Sequence, residues 1–424
     1  MSSSSLQSIS AIDINWVREQ FPSLQQTVNG HHAIFLDGPA GTQVPQRVVD
    51  VISNYLLRDN ANTGGVFATS QRSDEAIAAA RRAVADFLDC EPAEVVFGPN
   101  MTTLTFAISR AIGRELTPGD EIVLTTLDHD ANFSPWKALE ERGAVIRTVD
   151  INEEDCTLNM DDLRAKIGPR TKLVAVGYAA NSVGTINEVH EIVRLAHSVG
   201  ALAFIDAVHY APHGPIDVRA LDCDFMACSA YKFFGPHIGI LYGKAKHLEH
   251  FRPYKVRPAH DNIPDRWETG TQNHECLAGV TAAIDYLADL GKHSAPDANS
   301  RRAALVAAYA NIQHYERTLA EKFVVGAQAI PGLRLYGIRE PARFDQRVPT
   351  FSIRIEGRSP EELARYLADR GIFTWNGNFY AINVTERLGL ESSGGVVRIG
   401  LVHYNSSEEV DRLLAALREF ASRA

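Results

Sequence analysis

A lysine near the middle of the chain lies where a parallel sheet would place a reactive side chain. Lys232 follows the apolar run 225–228 and precedes the turn Gly235-Pro236. In an α/β sheet such a position faces the crevice beyond the strand ends, where ligands bind. Loss of hydration there lowers the pKa of the amine, and the neutral amine can form a Schiff base with a carbonyl compound. This stretch alone is equally compatible with a lysine in a surface turn.

An acidic residue ends a second apolar run upstream of this lysine. Asp206 follows Ala203–Ile205 and is followed by Ala207-Val208-His209. A carboxylate at a strand end can pair with the ring nitrogen of a pyridine-based cofactor, which keeps the ring protonated and able to accept electrons from a substrate carbanion. Asp is also a common helix N-cap. A strand ending in Asp, followed by a strand ending in Ser-x-x-Lys, favours the cofactor interpretation more strongly than either pattern alone.

The elements that must position these residues follow an alternating pattern. Short β-branched runs alternate with amphipathic stretches, which predicts an α/β fold with βαβ crossovers and a mainly parallel sheet. Seven strands are predicted, over Glu94–Phe97, Glu121–Thr126, Ala144–Val149, Lys172–Gly177, Ala201–Ile205, Phe225–Cys228 and Ile238–Tyr242. Helices are predicted over Met101–Arg114, Asn132–Arg142 and Val189–Val199.

The C-terminal part predicts a smaller α+β domain. A long helical pattern over 294–329 precedes strands predicted over Thr350–Ile355, Gly371–Trp375 and Val396–Leu401. A capping-box pattern at Ser406–Glu409 then begins the last helix. We expect an N-terminal segment, 1–30, that packs with the small domain, a large domain over 31–290, and a linking helix with the small domain over 291–424.

Composition limits the classes of function. Of 424 residues, 45% are apolar, and the formal net charge is −10. That balance argues against nucleic-acid binding, which needs a basic face to displace counterions from phosphate. Met1–Leu6 lacks the pattern of a secretory signal, and no stretch approaches the ~18 apolar residues that span a bilayer, so a cytoplasmic protein without membrane contact is expected. The cysteines contain no CxxC pair, which predicts neither a zinc site nor a disulfide framework. They are Cys90, Cys156, Cys223, Cys228 and Cys276.

The motif Asp-Ala-x-His…Ser-x-x-Lys-x-x-Gly-Pro, from Asp206 to Pro236, resembles the class V aminotransferases, and among them the cysteine desulfurase-like proteins. The resemblance covers nearly the whole chain. Its further matches are Phe35–Gly41, Asp128–Asn132 with Pro135-Trp136, Asn181–Thr185, Thr269–Asn273 and Arg398. It implies a pyridoxal 5'-phosphate (PLP)-dependent transferase of fold-type I, with a seven-stranded large domain that binds PLP.

The resemblance also implies a role for each matching residue. Lys232 would form the Schiff base with PLP and then move protons, Asp206 would pair with the pyridinium, and His129 would stack on the ring. The helix start at Asn100, Met101 and Thr102 would bind the phosphate, because free N–H groups and the dipole favour an anion there. The remaining cofactor contacts would come from Ser229 to the phosphate, from His209 and Asn181 to the ring hydroxyl, and from Thr271 of a neighbouring subunit. That last contact implies a homodimer with shared active sites.

Arg398 would bind the substrate carboxylate in bidentate fashion. The other residues expected at the substrate are Ala40, Gly41, Asn181 and Trp375. No metal site is expected.

The chain departs from the family pattern in the substrate region. The stretch 371–381 contains no cysteine, and Tyr380 stands about where the family's nucleophilic cysteine would be. Tyr231 replaces a histidine, Trp375 stands where an arginine would be expected, and the loop Asn62–Phe67 is glycine-rich where the family tends to carry a basic residue. These changes indicate a roomier, more aromatic and less cationic site, and therefore a bulkier substrate such as an amino-acid conjugate.

Several functions stay open. A C–S (β-)lyase that lacks the catalytic loop cysteine is preferred, and a class V aminotransferase or an amino-acid epimerase would begin with the same removal of the α-proton. A metal-dependent hydrolase is a distant alternative, because Asp206, His209 and His213 would share one face if they were helical. A noncatalytic PLP-binding partner protein is a third class.

Overall fold

The computed structural model describes residues 12–423. Met1–Leu6, on which the expectation about a secretory signal rests, lies outside the described residues. The α-helices are α1 (Ile14–Glu19), α2 (Gln46–Arg58), α3 (Ala68–Leu88), α4 (Met101–Ile112), α5 (Ser134–Lys137), α6 (Met160–Lys166), α7 (Val189–Ser198), α8 (Val218–Leu221), α9 (Ala245–His250), α10 (His274–Ser294), α11 (Arg301–Gln328), α12 (Pro360–Ala368), α13 (Ile382–Arg387) and α14 (Ser407–Ser422). The strands are β1 (Thr27–Val28), β2 (His31–His32), β3 (Ile34–Phe35), β4 (Val95–Gly98), β5 (Glu121–Thr125), β6 (Val145–Val149), β7 (Ile151–Asn152), β8 (Thr157–Leu158), β9 (Thr171–Gly177), β10 (Leu202–Asp206), β11 (Phe225–Ser229), β12 (Gly239–Gly243), β13 (Leu333–Tyr336), β14 (Thr350–Ile355), β15 (Ile372–Phe373), β16 (Trp375–Gly377) and β17 (Val396–Gly400).

The large sheet has seven strands in the order β4-β12-β11-β10-β9-β5-β6. Its neighbours run parallel except at β12, which is antiparallel to both β11 and β4. The predicted mainly parallel seven-stranded sheet is therefore confirmed. Each of its strands begins and ends close to the residues predicted from the sequence.

Strands of this sheet are apolar along their whole length because both faces are covered. In β11, Met226 and Cys228 belong to the core that also contains residues of α3, α7 and α10. Phe225 and Ala227 point to the opposite face and belong to the core that contains residues of α4. Helices on both faces leave the carboxyl ends of the parallel strands free to bind a ligand.

One predicted helix is wrong. Within Asn132–Arg142 only α5 is α-helical, and short 3-10 turns precede and follow it. Side chains at its beginning bond locally: Asn132 Nδ2 donates to Asp128 Oδ1 over 3.0 Å, and Ser134 Oγ donates to Asp130 Oδ2 over 2.8 Å. Such local bonds compete with the regular helical ladder.

The second unit contains a four-stranded antiparallel sheet in the order β13-β14-β17-β16. Its core includes residues of α11, α12 and α14. The last helix is capped by Ser406 with Glu409 in a capping box, as the sequence predicts. The long helix begins at Arg301, later than predicted, where the Ser300 side chain caps it.

The strand predicted over Gly371–Trp375 is divided between two sheets. β15 pairs in parallel with β3, whereas β16 pairs with β17. Ile34 consequently packs in the core of the second unit. The N-terminal residues contact both units, because Phe21 belongs to the core beneath the large sheet while Arg18 forms an ion pair of 2.8 Å with Glu409. The domain boundaries at residues 31 and 291 stay predictions.

Within the described range, no helix combines the length and the apolar character needed to cross a membrane.

Candidate active site

A cavity of about 640 Å³ lies at the carboxyl edge of the large sheet and contains most of the predicted site residues. It lies beyond the ends of β9, β10 and β11, beside the beginning of α4, and is closed on one side by residues of the second unit. The predicted site residues that line it are Ala40, Asn100, Met101, Thr102, His129, Asn181, Asp206, His209, Ser229, Lys232, Trp375 and Arg398.

Lys232 lies in a 3-10 turn that follows β11, with only 8% of its surface exposed. Its Nζ donates to the backbone carbonyl of Pro39 and, over 3.0 Å, to that of Ala40. Burial, reinforced by the positive charge of Arg398, lowers the pKa of Lys232 to about 7. A substantial fraction of the amine is therefore neutral at neutral pH and able to react with a carbonyl group.

Asp206 is the last residue of β10 and is buried. Its Oδ1 accepts a hydrogen bond of 2.9 Å from the backbone N–H of Val208. Burial raises its pKa to about 6, partly offset by the charge of Lys232. Among the described residues, no cationic side chain forms an ion pair with this carboxylate, so its charge is available to a protonated ring nitrogen.

The beginning of α4 forms the polar end of the cavity. Asn100 caps the helix by accepting from the Thr103 N–H over 2.8 Å, and the Met101 N–H donates to Ser229 Oγ over 3.1 Å. β12 passes so close that a Cβ on Gly239 would lie 2.3 Å from the Asn100 carbonyl carbon. Glycine at that position is thus required for a backbone cradle suited to an anion.

His129 lines the cavity, and its ring stacks on that of Tyr380 with a centroid distance of 5.5 Å. Its Nδ1 accepts from the Ala131 N–H over 3.0 Å. Burial lowers the pKa of His129 to about 4, with smaller contributions from the charges of Lys232 and Arg398. The imidazole is therefore neutral at physiological pH, which suits stacking against a cationic ring.

His209 and Asn181 are both buried at the cavity wall. His209 Nε2 bonds Thr350 Oγ1 over 2.9 Å, and burial lowers the pKa of this histidine well below its usual value. Asn181 Nδ2 donates to the Phe379 carbonyl over 2.9 Å, whereas its Oδ1 is buried without a hydrogen-bond partner among the described residues. That oxygen is available to a ligand donor.

Arg398 projects from β17 and is 4% exposed. It donates to the Asn181 carbonyl over 3.0 Å, and its Cζ lies 4.2 Å from the centroid of the Phe379 ring. Burial lowers its pKa to about 9, so the guanidinium remains charged at neutral pH. Within the part of the chain that the structure describes, it forms no ion pair with a carboxylate, and its charge can therefore bind a substrate carboxylate.

The loop between β16 and α13 is held in an uncommon conformation. Phe379 and Tyr380 have φ values of 58° and 59°, in the left-handed region that costs non-glycine residues roughly 1–2 kcal/mol each. The Tyr380 carbonyl accepts from the Asp130 N–H over 2.7 Å, and its own N–H donates to Asn378 Oδ1 over 3.1 Å. The first bond holds the loop against the large unit, and the second lies within the loop.

Two predicted site residues do not line the cavity in a single chain. Gly41 lies behind Tyr231, whose ring carbon Cδ2 would be 3.4 Å from a Cβ on this glycine. Thr271 is exposed, in the loop before α10. Its predicted contact from a neighbouring subunit stays a prediction.

Among the lining residues without a predicted role, Asp128, Phe106 and Phe379 bring a carboxylate and two aromatic rings to the cavity. Asp128 is buried, accepts from Thr125 Oγ1 over 2.6 Å, and has a pKa that burial raises to about 7. Phe106 and Phe379 contribute aromatic surface. Asp128 lies inside a motif that the sequence analysis identified, and its place after an apolar strand was the available signal; the two phenylalanines had none.

The premise of the metal-hydrolase alternative is wrong. Asp206, His209 and His213 do not share a helix, since the chain leaves β10 through a series of turns. His213 Nδ1 instead bonds Glu316 over 2.8 Å. The described residues contain no cluster of three or more histidine, cysteine, aspartate or glutamate side chains suited to hold a metal ion.

The family model for "Aminotransferase class-V" matches residues 34–413. The chain belongs to the class V aminotransferase family. Enzymes of this family use PLP, so the chain is a PLP-dependent enzyme, and the following relatives make it cysteine desulfurase-like.

A cysteine desulfurase of Synechococcus elongatus is 34% identical over 96% of this chain, which spans 63% of that protein's length. A probable cysteine desulfurase of Synechocystis sp. is 33% identical over 95% of this chain and 94% of its own length. The apo structure of a cysteine desulfurase from Thermococcus onnurineus superposes with a TM-score of 0.86 at 27% identity, covering 99% of each chain. A cysteine desulfurase of Escherichia coli gives 0.82 at 26% identity, over 97% of this chain and 98% of its own.

The cavity of this class V protein fits PLP. It combines a buried lysine of lowered pKa, the Asp206 carboxylate, with which no cation in the described range pairs, and a helix start beside the Ser229 hydroxyl. Asn181 Oδ1, which has no hydrogen-bond partner within residues 12–423, adds an acceptor for a ligand hydroxyl. An aldehyde, a ring nitrogen, a phosphate and a ring hydroxyl each have a complementary group in this arrangement.

Proposed function

We propose that this enzyme is a C–S (β-)lyase that cleaves a cysteine conjugate without a thiol of its own. The observation that carries the proposal is the cavity itself: it joins Lys232, Asp206 and Arg398 but is lined by no cysteine among the described residues. Burial raises the pKa of all five thiols, and that of Cys156 rises to about 11. A thiol kept protonated and away from the cavity cannot attack a substrate sulfur.

The proposed roles of the side chains follow from their positions. PLP, when bound, would supply an electron-poor ring that stabilises negative charge at the substrate Cα. Asp206 would hold the ring nitrogen protonated, and Arg398 would fix the carboxylate so that Cα lies near Lys232. With its lowered pKa, the Lys232 amine can take the α-proton and can return a proton later.

The same residues would hold the cofactor. Asn100, Met101, Thr102 and Ser229 would bind the phosphate, His129 would stack on the ring, and Asn181 with His209 would bind the ring hydroxyl. His209 would have to use Nδ1, because its Nε2 bonds Thr350.

Two further parts of the proposal concern the whole protein. We expect a homodimer in which Thr271 reaches the phosphate of the partner's site, and we expect the enzyme to work in the cytoplasm. Large apolar side chains exposed at the end of α2 and in the following loop support a partner surface: Leu57 is 81% exposed and Val66 is 96% exposed.

Incubation of the purified PLP-loaded enzyme with a panel of cysteine conjugates and common amino acids tests the reaction. Release of pyruvate together with a stoichiometric thiol is expected, and Lys232→Ala should abolish it. Cys156→Ala and Cys276→Ser should each release thiol at the wild-type rate. A keto acid that keeps the substrate's carbon skeleton would indicate an aminotransferase, a racemised amino acid an epimerase, and a persulfide on the protein a desulfurase; each would overturn the lyase proposal.

A further inference from the structure

The loop after β16 carries aromatic side chains into the cavity on a fixed backbone. Phe379 and Tyr380 both line the cavity. The carbonyl of Phe379 accepts from Asn181 Nδ2 over 2.9 Å, and that of Tyr380 accepts from the Asp130 N–H over 2.7 Å. Because these partners belong to the large unit, the backbone that carries both rings is held in place before a substrate enters.

Together with Phe106 and Trp375, these two residues form what we call the aromatic wall. Tyr380 is 72% exposed and Trp375 is 52% exposed, although both line a concave site. Rings left bare in a cavity provide apolar surface for a ligand to cover. Among residues 12–423, the ring that stacks on Tyr380 is that of His129, at the cofactor end of the site.

The aromatic wall lies beside the group that would bind the substrate carboxylate. Trp375 is directly opposite Arg398 in the antiparallel pair β16–β17, so both side chains leave the same face of the sheet. The Phe379 ring lies 4.2 Å from Arg398 Cζ. An amino acid held by its carboxylate at Arg398 therefore has these rings within reach of its side chain.

Three charged groups that line the cavity already have a partner or an assigned role. The cations that line the cavity are Lys232 and Arg398, both assigned to the reacting centre and the carboxylate. The acidic Asp130 accepts a hydrogen bond of 2.8 Å from Ser134 Oγ. The four rings of the aromatic wall therefore supply apolar surface for the substrate's side chain, beside these charged groups.

We infer that the aromatic wall selects cysteine conjugates whose sulfur carries an aryl, benzyl or similar flat apolar group, with Tyr380 and Trp375 as specificity-determining residues. This inference rests on the proposed function. In the reaction, R–S–CH2–CH(NH3+)–COO− and water give R–SH, pyruvate and ammonium. The Cβ–S bond breaks, the sulfur keeps the electron pair and takes up a proton, and no oxidant or reductant is needed.

The test compares S-benzyl-L-cysteine with S-methyl-L-cysteine on the PLP-loaded enzyme. Binding is measured by the change in cofactor absorbance, and kcat/KM by thiol release. We expect the wild type to prefer the benzyl conjugate at least about tenfold, and Tyr380→Ala and Trp375→Leu each to lose most of that preference because binding of the benzyl group weakens. Tyr380→Phe should retain the preference because it keeps the ring.

Tyr254→Ala is the matched control, since Tyr254 is 56% exposed and does not line the cavity. It should leave both substrates unaffected. Equal binding of both conjugates by the wild type, or an unchanged preference in both wall variants, would overturn the inference. Tight binding of the benzyl conjugate without thiol release would support the wall and contradict the lyase proposal. Thiol release from both conjugates with no preference would support the lyase proposal and contradict the inference about the aromatic wall.

Discussion

The reactivity of Lys232 depends on the pKa that its buried environment gives the amine. Burial and the positive charge of Arg398 lower its pKa to about 7 in the cofactor-free chain. Only the neutral amine attacks an aldehyde, so the rate of covalent PLP binding to the apoprotein should rise about tenfold per pH unit below pH 7 and level off above it. Stopped-flow absorbance between pH 5.5 and pH 9.5 measures this rate. A rise that continues to pH 9.5 would show that the lysine titrates as an ordinary exposed amine.

The proposed pairing of Asp206 with the PLP ring nitrogen can be tested by substitution. In Asp206→Asn the amide can no longer hold a protonated ring nitrogen by charge, while the shape of the side chain is nearly kept. We expect PLP to remain bound and kcat to fall on the order of 100-fold. Cofactor content after denaturation and steady-state rates measure the two effects separately. Wild-type turnover in this variant would contradict the proposed pairing.

The sequence predicted many of the residues that line the cavity, because motif residues at strand ends must meet at one edge of a parallel sheet. Lys232 and Asp206 follow from that rule. The contacts of Asn181 and Phe379 did not, since their hydrogen bond joins positions far apart in the chain. No role was predicted for Asp128 although it follows an apolar strand, because its burial and its bond to Thr125 depend on packing.

At the scale of the element, the beginning of α4 can be tested through its cap. Asn100→Ala removes the acceptor for the Thr103 N–H and should cost about 1 kcal/mol of unfolding free energy. If this helix start binds the phosphate, the affinity for PLP should also fall. Asn159→Ala is the matched control, because Asn159 caps α6 through the Asp162 N–H at 3.0 Å and lies outside the cavity. It should lose similar stability without losing PLP affinity; equal losses of affinity in both variants would contradict the assignment.

Strands of the large sheet were predictable because burial on both faces leaves a continuous apolar run. Elements whose pairing partners lie far along the chain were not predictable from the local sequence. The stretch 371–375 was predicted as a single strand, yet Ile372–Phe373 pairs with Ile34–Phe35 and Trp375 pairs with Arg398. Between them the chain changes sheets, and this depends on the N-terminal strand rather than on local sequence.

At the scale of the whole molecule, the position of Thr271 bears on whether two subunits share each active site. It is exposed and outside the cavity of its own chain, so any contact with PLP would have to come from a second copy. The exposed apolar side chains along α2 and the next loop, such as Leu57 and Val66, provide surface for that copy. A dimer should therefore be seen by sedimentation equilibrium, and Thr271→Ala should weaken PLP binding.

A hybrid dimer distinguishes a Thr271 that contacts the partner's active site from one that acts within its own chain. One subunit carries Lys232→Ala and the other Thr271→Ala, with different affinity tags for purification. If Thr271 acts across the interface, one site receives both substitutions and the other receives neither, so the hybrid should show half the wild-type activity with wild-type PLP affinity. If Thr271 acts within its own chain, the only site with a lysine also lacks the threonine, and its PLP affinity will match that of the Thr271→Ala homodimer. The second result would contradict the shared-site proposal.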